Sequence, residues 1–405
     1  MAANASALPQ AASSAASRRE GFADGTTVIV CAPAFTAFLF GIVLLLVTGN
    51  APGHHDFVSY WTAGHQLLHH ANPYDGAAIH SAELAAGFPR DANVLLMRNP
   101  PWALALVLPL GLLGVRIGSL VWTLLLVGCL VASVRMMAEL VGEPKSRRHL
   151  FAYAFAPALL CVLAGQSSLF ALLGLVLFLR WHRTHPFAAG AALYLCALKP
   201  HLFLPFAAAL LLWIIATRSY RLLAGSAVTP AAASLVATWF DPAVWTHYRQ
   251  MMQTSGIATE FIACPAVALR FALHPQAMWL QSLPAAFGCV WAVLYCARHR
   301  ERWDWLEHGG LLLLVSLTVS PYAWVTDQAI ALPALMLATG RWASRGHIRL
   351  LLLASAAIEI EQLCGVTMHS PWVLWTAPFW LAWHLSVSTQ SRSVTSRDAM
   401  PQPAS

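Results

Sequence analysis

VIVCAPAFTAFLFGIVLLLVT, residues 28–48, runs for twenty-one positions without a charged side chain. As a helix rising about 1.5 Å per residue it covers about 30 Å, the thickness of a bilayer's hydrocarbon core. A secretory signal core is shorter, about 7–15 residues, and is followed by a small-residue cleavage site. No such site is evident after Thr48, so the stretch is expected to remain as an anchor. It is not isolated. Apolar runs recur near 117–138, 150–163, 168–181, 186–198, 202–216, 222–240, 277–297, 309–321, 325–340, 348–364 and 371–388. Over the whole chain 58% of residues are hydrophobic and 10% charged, against about 45–50% and about 25% in soluble domains. The mean hydropathy is +0.61. These values exclude a soluble enzyme, a disordered chain, a secreted disulfide scaffold and a fibre. They predict an all-α polytopic membrane protein of about 12 transmembrane helices.

Residues 1–27 are rich in alanine and serine and predict a disordered cytoplasmic tail, as do residues 389–405. A single transmembrane unit is expected over 28–388, with its longest polar stretch, 49–99, as a first outer loop. The basic clusters test this orientation. Arg18/Arg19, Lys145/Arg147/Arg148, Arg180/Arg183, Arg218/Arg221, Arg298/Arg300/Arg302, Arg341/Arg345/Arg349 and Arg392/Arg397 all fall inside if the N-terminus is cytoplasmic and Pro100–Gly114 does not cross. That segment is short and contains Pro100, Pro101 and Pro109, which suits a re-entrant or tilted element. The short run 263–273 is left on the outer side.

The net charge of +7 is carried mostly by arginine, Lys145 and Lys199 being the only lysines. On a membrane protein such charge sets orientation, and no basic run with interleaved aromatics suggests nucleic acid. Seven of the eight cysteines lie in apolar segments without a Cys-x-x-Cys pair and read as core residues. Most of the seventeen tryptophans suit interfacial belts.

The orientation collects polar residues on one face: His54, His55, Asp56, Asn72, Tyr74, Asp75, Arg90, Arg98, Gln166, Lys199, His201, Tyr322 and Asp327. One wet cavity, also reached by Tyr60, would hold them. In the first loop Phe57, Tyr60, Trp61, Gly64, Leu67 and Leu68 fall at helical spacing, with Ser59, Thr62, His65 and His69 opposite, which predicts an amphipathic helix on the membrane surface. Asp56 stands at its start, where a carboxylate serves as an N-cap. A rigidly held carboxylate there also suits a base. His65 and His69 are four apart, as a metal pair would be, but lack a third ligand and read as solvent-facing. Asn72-Pro73-Tyr74-Asp75 is turn chemistry.

Gly165-Gln166-Ser167-Ser168 interrupts two apolar runs. Lys199-Pro200-His201 places a cation among membrane helices, where the choice lies between snorkelling and function, with an anionic head group as natural partner. Asp327 follows Ser320-Pro321-Tyr322 and suits a cap or a charge at the cavity rim. No Asp-x-Asp, P-loop or Gly-x-Gly-x-x-Gly is present, so neither a metal nor another cofactor is expected.

The succession His55-Asp56-Phe57, Tyr60-Trp61-x-Ala63, Asn72-Pro73-Tyr74-Asp75, Asn99-Pro100-Pro101, Gly165-Gln166-Ser167-Ser168, Leu198-Lys199-Pro200 and Ser320-Pro321-Tyr322 resembles glycosyltransferase family 87, over roughly residues 30–340. The resemblance implies a GT-C-type bundle and a hexosyltransferase of the mannosyltransferase kind. It implies a polyprenyl-phosphate sugar donor, a lipid or glycan acceptor, and a site facing the periplasm from a bacterial inner membrane. It carries a catalytic base over to Asp56 and donor-phosphate binding to Lys199, with His201 beside it. The family often has a histidine where this chain has Tyr322, and His54, His55 or His201 could take over its part. One carboxylate suffices for such chemistry, because a phosphate leaves as a stabilised anion without an acid. Two other classes compete: a flippase or transporter of a lipid-linked sugar, which usually shows internal repeats and charges at mid-membrane, and a non-catalytic envelope scaffold.

Overall fold

The computed structural model describes residues 25–49, 54–90, 93–142 and 144–398, and among them it is helical without strands. Residues 1–24 and 399–405 of the two expected tails lie outside the described residues. The first helix, α1 (Gly25–Thr48), begins slightly before the apolar run. The first loop supplies α2 (His55–Leu68) and α3 (Gly76–Ala85). Pro101–Leu112 then folds as a 3-10 turn, the four-residue α4 (Leu104–Val107) and a second 3-10 turn. Twelve residues rise only about 20 Å, less than a bilayer.

By length and composition five helices can cross a membrane: α1, α5 (Val115–Val141), α9 (Leu204–Thr217) with the turn before it, α10 (Tyr220–Phe240), and α13 (Leu283–His299) with its flanking turns. Their outer faces are apolar: Phe40, Ile215, Leu235 and Phe287 are all more than half exposed. Such stripes require hydrocarbon contact, and the protein is membrane-embedded.

Several other runs are divided, so the expected count of about 12 crossings is not reached by this measure. Proline is the main cause. Run 150–163 breaks at Phe155 into a 3-10 segment and the nine-residue α6 (Ala156–Ala164), because Pro157 lacks an N–H for the preceding turn. Pro186 opens the short α8 (Pro186–Ala192). Run 325–340 starts as 3-10 and becomes α15 (Leu332–Arg341) with Pro333 in its first turn. Between these lie α7 (Ser168–Trp181), α11 (Val244–Thr254), α12 (Pro265–Leu273) and α14 (Trp305–Thr318). The last described helices are α16 (Arg345–Leu363) and α17 (Thr376–Asp398), and the latter runs on past residue 388, where a disordered tail was expected.

The core forms around α6, α7 and the 325–331 segment, whose side chains are almost all buried. α2 does not lie on a surface as an amphipathic helix would. Ser59 and Thr62 are as buried as Phe57 and Tyr60, because the helix is clamped against Pro101–Leu112. A Cβ on Gly64 would stand 2.2 Å from the carbonyl of Val107, and one on Gly111 would stand 2.6 Å from that of Gly64. Only two glycines permit that approach. The clamp carries the start of α2 to the start of α7, where the polar motifs meet. The far end of α7 is basic: Arg180 pairs with Glu139 on α5 at 2.6 Å, and Arg148 reaches the carbonyl of Thr339 on α15. Ser168 and Arg180, twelve residues apart, are separated by about 18 Å along the helix. The polar cavity and these two basic clusters thus lie at opposite ends of α7.

Candidate active site

A cavity of about 550 Å³ opens where α2, the residues before α4, the α6–α7 turn, the Lys-Pro element and residues 322–327 converge. Its size lies in the usual range of ligand pockets, about 300–1,000 Å³.

Asp56 is the second residue of α2, two positions past the N-cap, and His54, at the cap position, makes no side-chain capping bond. The Asp56 carboxylate accepts instead from Gln166 Nε2, 110 residues away. Gln166 follows Gly165, which ends α6 in the left-handed region at φ 74°. A Cβ on Gly165 would stand 2.7 Å from His54 Nε2 and 2.8 Å from the Cβ of Phe57. Glycine is thus required twice over, by conformation and by space. The turn is held by Gln166 N donating to Cys161 O at 2.9 Å and by Trp122 Nε1 donating to Gly165 O at 2.8 Å.

Lys199 caps a three-residue 3-10 turn and cannot continue it, because the following Pro200 keeps its backbone out of the helical region (φ −135°, ψ 69°). Its Nζ donates to Asp327 Oδ1 at 2.6 Å, to Ser168 Oγ at 3.1 Å and to Gln166 Oε1. An ammonium has three N–H groups, and all three are used. Asp327 is fully buried. It also accepts from Ser168 Oγ at 2.6 Å, and its other oxygen caps the 325–331 segment through Trp324 N at 2.9 Å. The sequence offered Asp327 a cap or a rim charge; it is a cap and an ion-pair partner at once. His201 stacks on Tyr322, ring centroids 3.8 Å apart and planes within 22°, and its buried Nε2 has no partner.

Burial raises the Asp56 carboxyl from its ordinary 3.8 to about 7, with the charges of Lys199 and then His55 opposing the rise. Burial also works against the Lys199 ammonium, but the Asp327 carboxylate outweighs it and keeps the lysine charged. Burial lowers His54 to about 4, so its ring is neutral.

Of the residues read from the sequence, His55, Asp56, Tyr60, Arg98, Gln166, Lys199, His201, Tyr322 and Asp327 line the cavity. Three do not. His54 is buried behind the wall, its Nδ1 against Ser119 Oγ at 3.0 Å. Asn72 accepts the N–H of Tyr74 in a local turn, and the Tyr74 hydroxyl donates to Asn99 O at 3.0 Å. Both therefore shape the loop from outside the cavity. Arg98 is committed to Glu260 at 2.6 Å and to Ser255 O at 3.0 Å. The sequence reading missed Glu83, a buried carboxylate that takes His55 Nε2 at 2.6 Å and Leu95 N at 2.9 Å. It also missed the roles of Asn99, whose amide donates to Leu198 O and which stood in the quoted Asn99-Pro100-Pro101, and of Ser168. Glu83 carries no sequence signal, since its partners lie 28 and 12 residues away; Ser168 stood inside a quoted motif. Among the described residues no three His, Cys, Asp or Glu side chains converge as metal ligands would. His65 and His69 are tilted against each other, 4.3 Å between centroids, without a third ligand.

The sequence profile of glycosyltransferase family 87 matches residues 98–321, more than half of the chain. No curated protein and no solved structure matches it. The matched span contains Asn99, the Gly165–Ser168 turn and Lys199, but neither Asp56 nor Asp327.

Proposed function

Because the chain belongs to glycosyltransferase family 87 and is thus a membrane glycosyltransferase, we propose that it moves a hexose, of the mannose kind, from a polyprenyl-phosphate donor to a lipid or glycan hydroxyl. One observation carries this reading: a carboxylate raised to near-neutral pKa and a buried ammonium share one cavity, joined by a single glutamine amide. The carboxylate is suited to accept a proton at neutral pH, and the ammonium to face a phosphate.

In the proposed reaction Asp56 takes the proton of the acceptor hydroxyl. The acceptor oxygen forms a bond to the anomeric carbon from the face opposite the phosphate. The bond from that carbon to the phosphate oxygen breaks, its electron pair leaves with the polyprenyl phosphate, and the product is inverted. Lys199 supports the departing charge. Its donors are already taken, so a phosphate oxygen reaches it by replacing Ser168 or Gln166, and the unpartnered His201 Nε2 is a second donor beside it. No metal or other cofactor enters this scheme.

The proposed architecture is a GT-C-type bundle in which the divided apolar runs cross as paired segments. The site opens to the periplasmic side of a bacterial inner membrane, opposite the basic end. The test is transfer: protein purified in detergent, given undecaprenyl-phosphate [14C]mannose and a total membrane-lipid extract, should move label into a new lipid or glycan. Mass spectrometry should find it one hexose heavier. Absence of any labelled product, with the donor intact, would refute this donor class.

A further inference from the structure

We propose that Gln166 is the residue that aims the base: its amide, turned by Lys199, holds one carboxylate oxygen of Asp56 and leaves the other for the acceptor hydroxyl. This rests on the reading of Asp56 as the base. An ammonium only donates, and an ionised carboxylate only accepts. An amide between them has one allowed orientation, with its oxygen to Lys199 and its NH2 to Asp56, and this is the arrangement found. The Tyr60 hydroxyl, 3.3 Å from Oε1, favours the same orientation.

Gln166 itself has little freedom. Its residue is 7% exposed, its N–H is bonded to Cys161 O, and its carbonyl accepts from Cys161 Sγ at 3.1 Å. Lys199 is fixed in turn by Asp327 and Ser168. Three segments, at 166–168, 199 and 327, thereby determine how a carboxylate on a fourth is presented. Asp56 Oδ1 is engaged by the amide, which assigns proton uptake to Oδ2. An N–H given to the anion also favours the ionised form and so opposes the burial that raises this carboxyl. The charged and titratable groups facing Asp56 are His55 on its own helix, Lys199 on the Lys-Pro element, Asp327 before α15 and Arg98 before α4, with the Tyr60 hydroxyl nearby. Gln166 is the one that contacts the carboxylate without carrying charge, so its effect is directional.

The test reads Asp56 directly. Infrared carboxyl spectra of the purified protein are recorded across pH 4–10, and the band that vanishes in Asp56→Asn is assigned to Asp56. Gln166→Met keeps length but removes both hydrogen-bonding groups; Gln166→Leu removes them with a branched apolar side chain, and neither adds a charge beside Asp56. In both variants the Asp56 midpoint should move up by about one pH unit or more, the usual worth of a hydrogen bond to a charged group. The acid limb of mannose transfer from undecaprenyl-phosphate mannose should move with it. Folding of each variant is checked by circular dichroism and gel filtration, and two differently shaped substitutions guard against loss of one. An Asp56 midpoint unchanged in a folded variant overturns the proposal. The base reading fails separately: if Asp56→Asn transfers mannose normally while the infrared shift is present, Gln166 controls the carboxylate but the carboxylate is not the base.

Discussion

Replacing Asp56 by asparagine should make the protein more stable and nearly inactive. The carboxyl is raised from 3.8 to about 7, so between those values the native state keeps a proton that the unfolded chain releases. Stability therefore falls as pH rises through this window and levels off above it. Three pH units correspond to about 4 kcal/mol. Asp56 is only partly buried and lines an open cavity, so solvent screening reduces this to about 1–2 kcal/mol. Asparagine carries no such cost and keeps an oxygen for Gln166 Nε2. Asp56→Asn should thus melt higher than the parent at pH 8 and alike at pH 4, read by tryptophan fluorescence in detergent. Turnover should fall about 10²–10⁴-fold, the usual worth of a general base. The parent's own turnover should drop about tenfold per pH unit below pH 7, as the base becomes protonated. Turnover within a few-fold of the parent, or a parent profile flat from pH 5 to 8, would refute the assignment. A lower melting temperature at pH 8 would refute the electrostatic argument alone.

Lys199→Ala should weaken donor binding as well as slow transfer, and should destabilise the fold because Asp327 is left buried and unpaired; Lys199→Arg should restore part of both, measured as mannose-donor affinity and turnover. Unchanged donor affinity in Lys199→Ala would remove the lysine from the phosphate site. Gly165→Ala, with a Cβ within 3 Å of His54 and Phe57 and a positive φ, should cost about 1–3 kcal/mol and lower activity by displacing Gln166, read as melting temperature and turnover together. Transfer should persist in EDTA; complete loss, restored by magnesium or manganese, would redirect attention to Asp56, Asp75 and the loop histidines as ligands. Cysteines introduced at Ser146, Ser219 and Ser344 should label only from the cytoplasmic side and one at Ser81 only from outside, and outside labelling at Ser146 would reverse the assignment of Pro100–Gly114.

What the sequence determined by itself was the class of solvent. Hydropathy adds residue by residue along the chain, so the run at 28–48 needs no knowledge of its neighbours to be assigned to a membrane. The motifs were legible for a related reason: Gln166 beside Gly165 and Lys199 before Pro200 interrupt apolar runs, and a polar group in such a place is costly wherever it sits. What only the tertiary structure decided was who meets whom. Lys199 finds Asp327 at a separation of 128 residues, His55 finds Glu83, and the orientation of the Gln166 amide exists only once both its partners are present. Asn72 and Tyr74 look as promising in sequence as Gln166, yet they spend their polar groups on the loop. Prolines at 157 and 333 break runs that hydropathy alone counts as whole. Contacts of about 3 Å depend on the rotation and depth of each helix, and one residue of slip turns a side chain by about 100°. No sum over composition carries that information, and only the packed helices fix it.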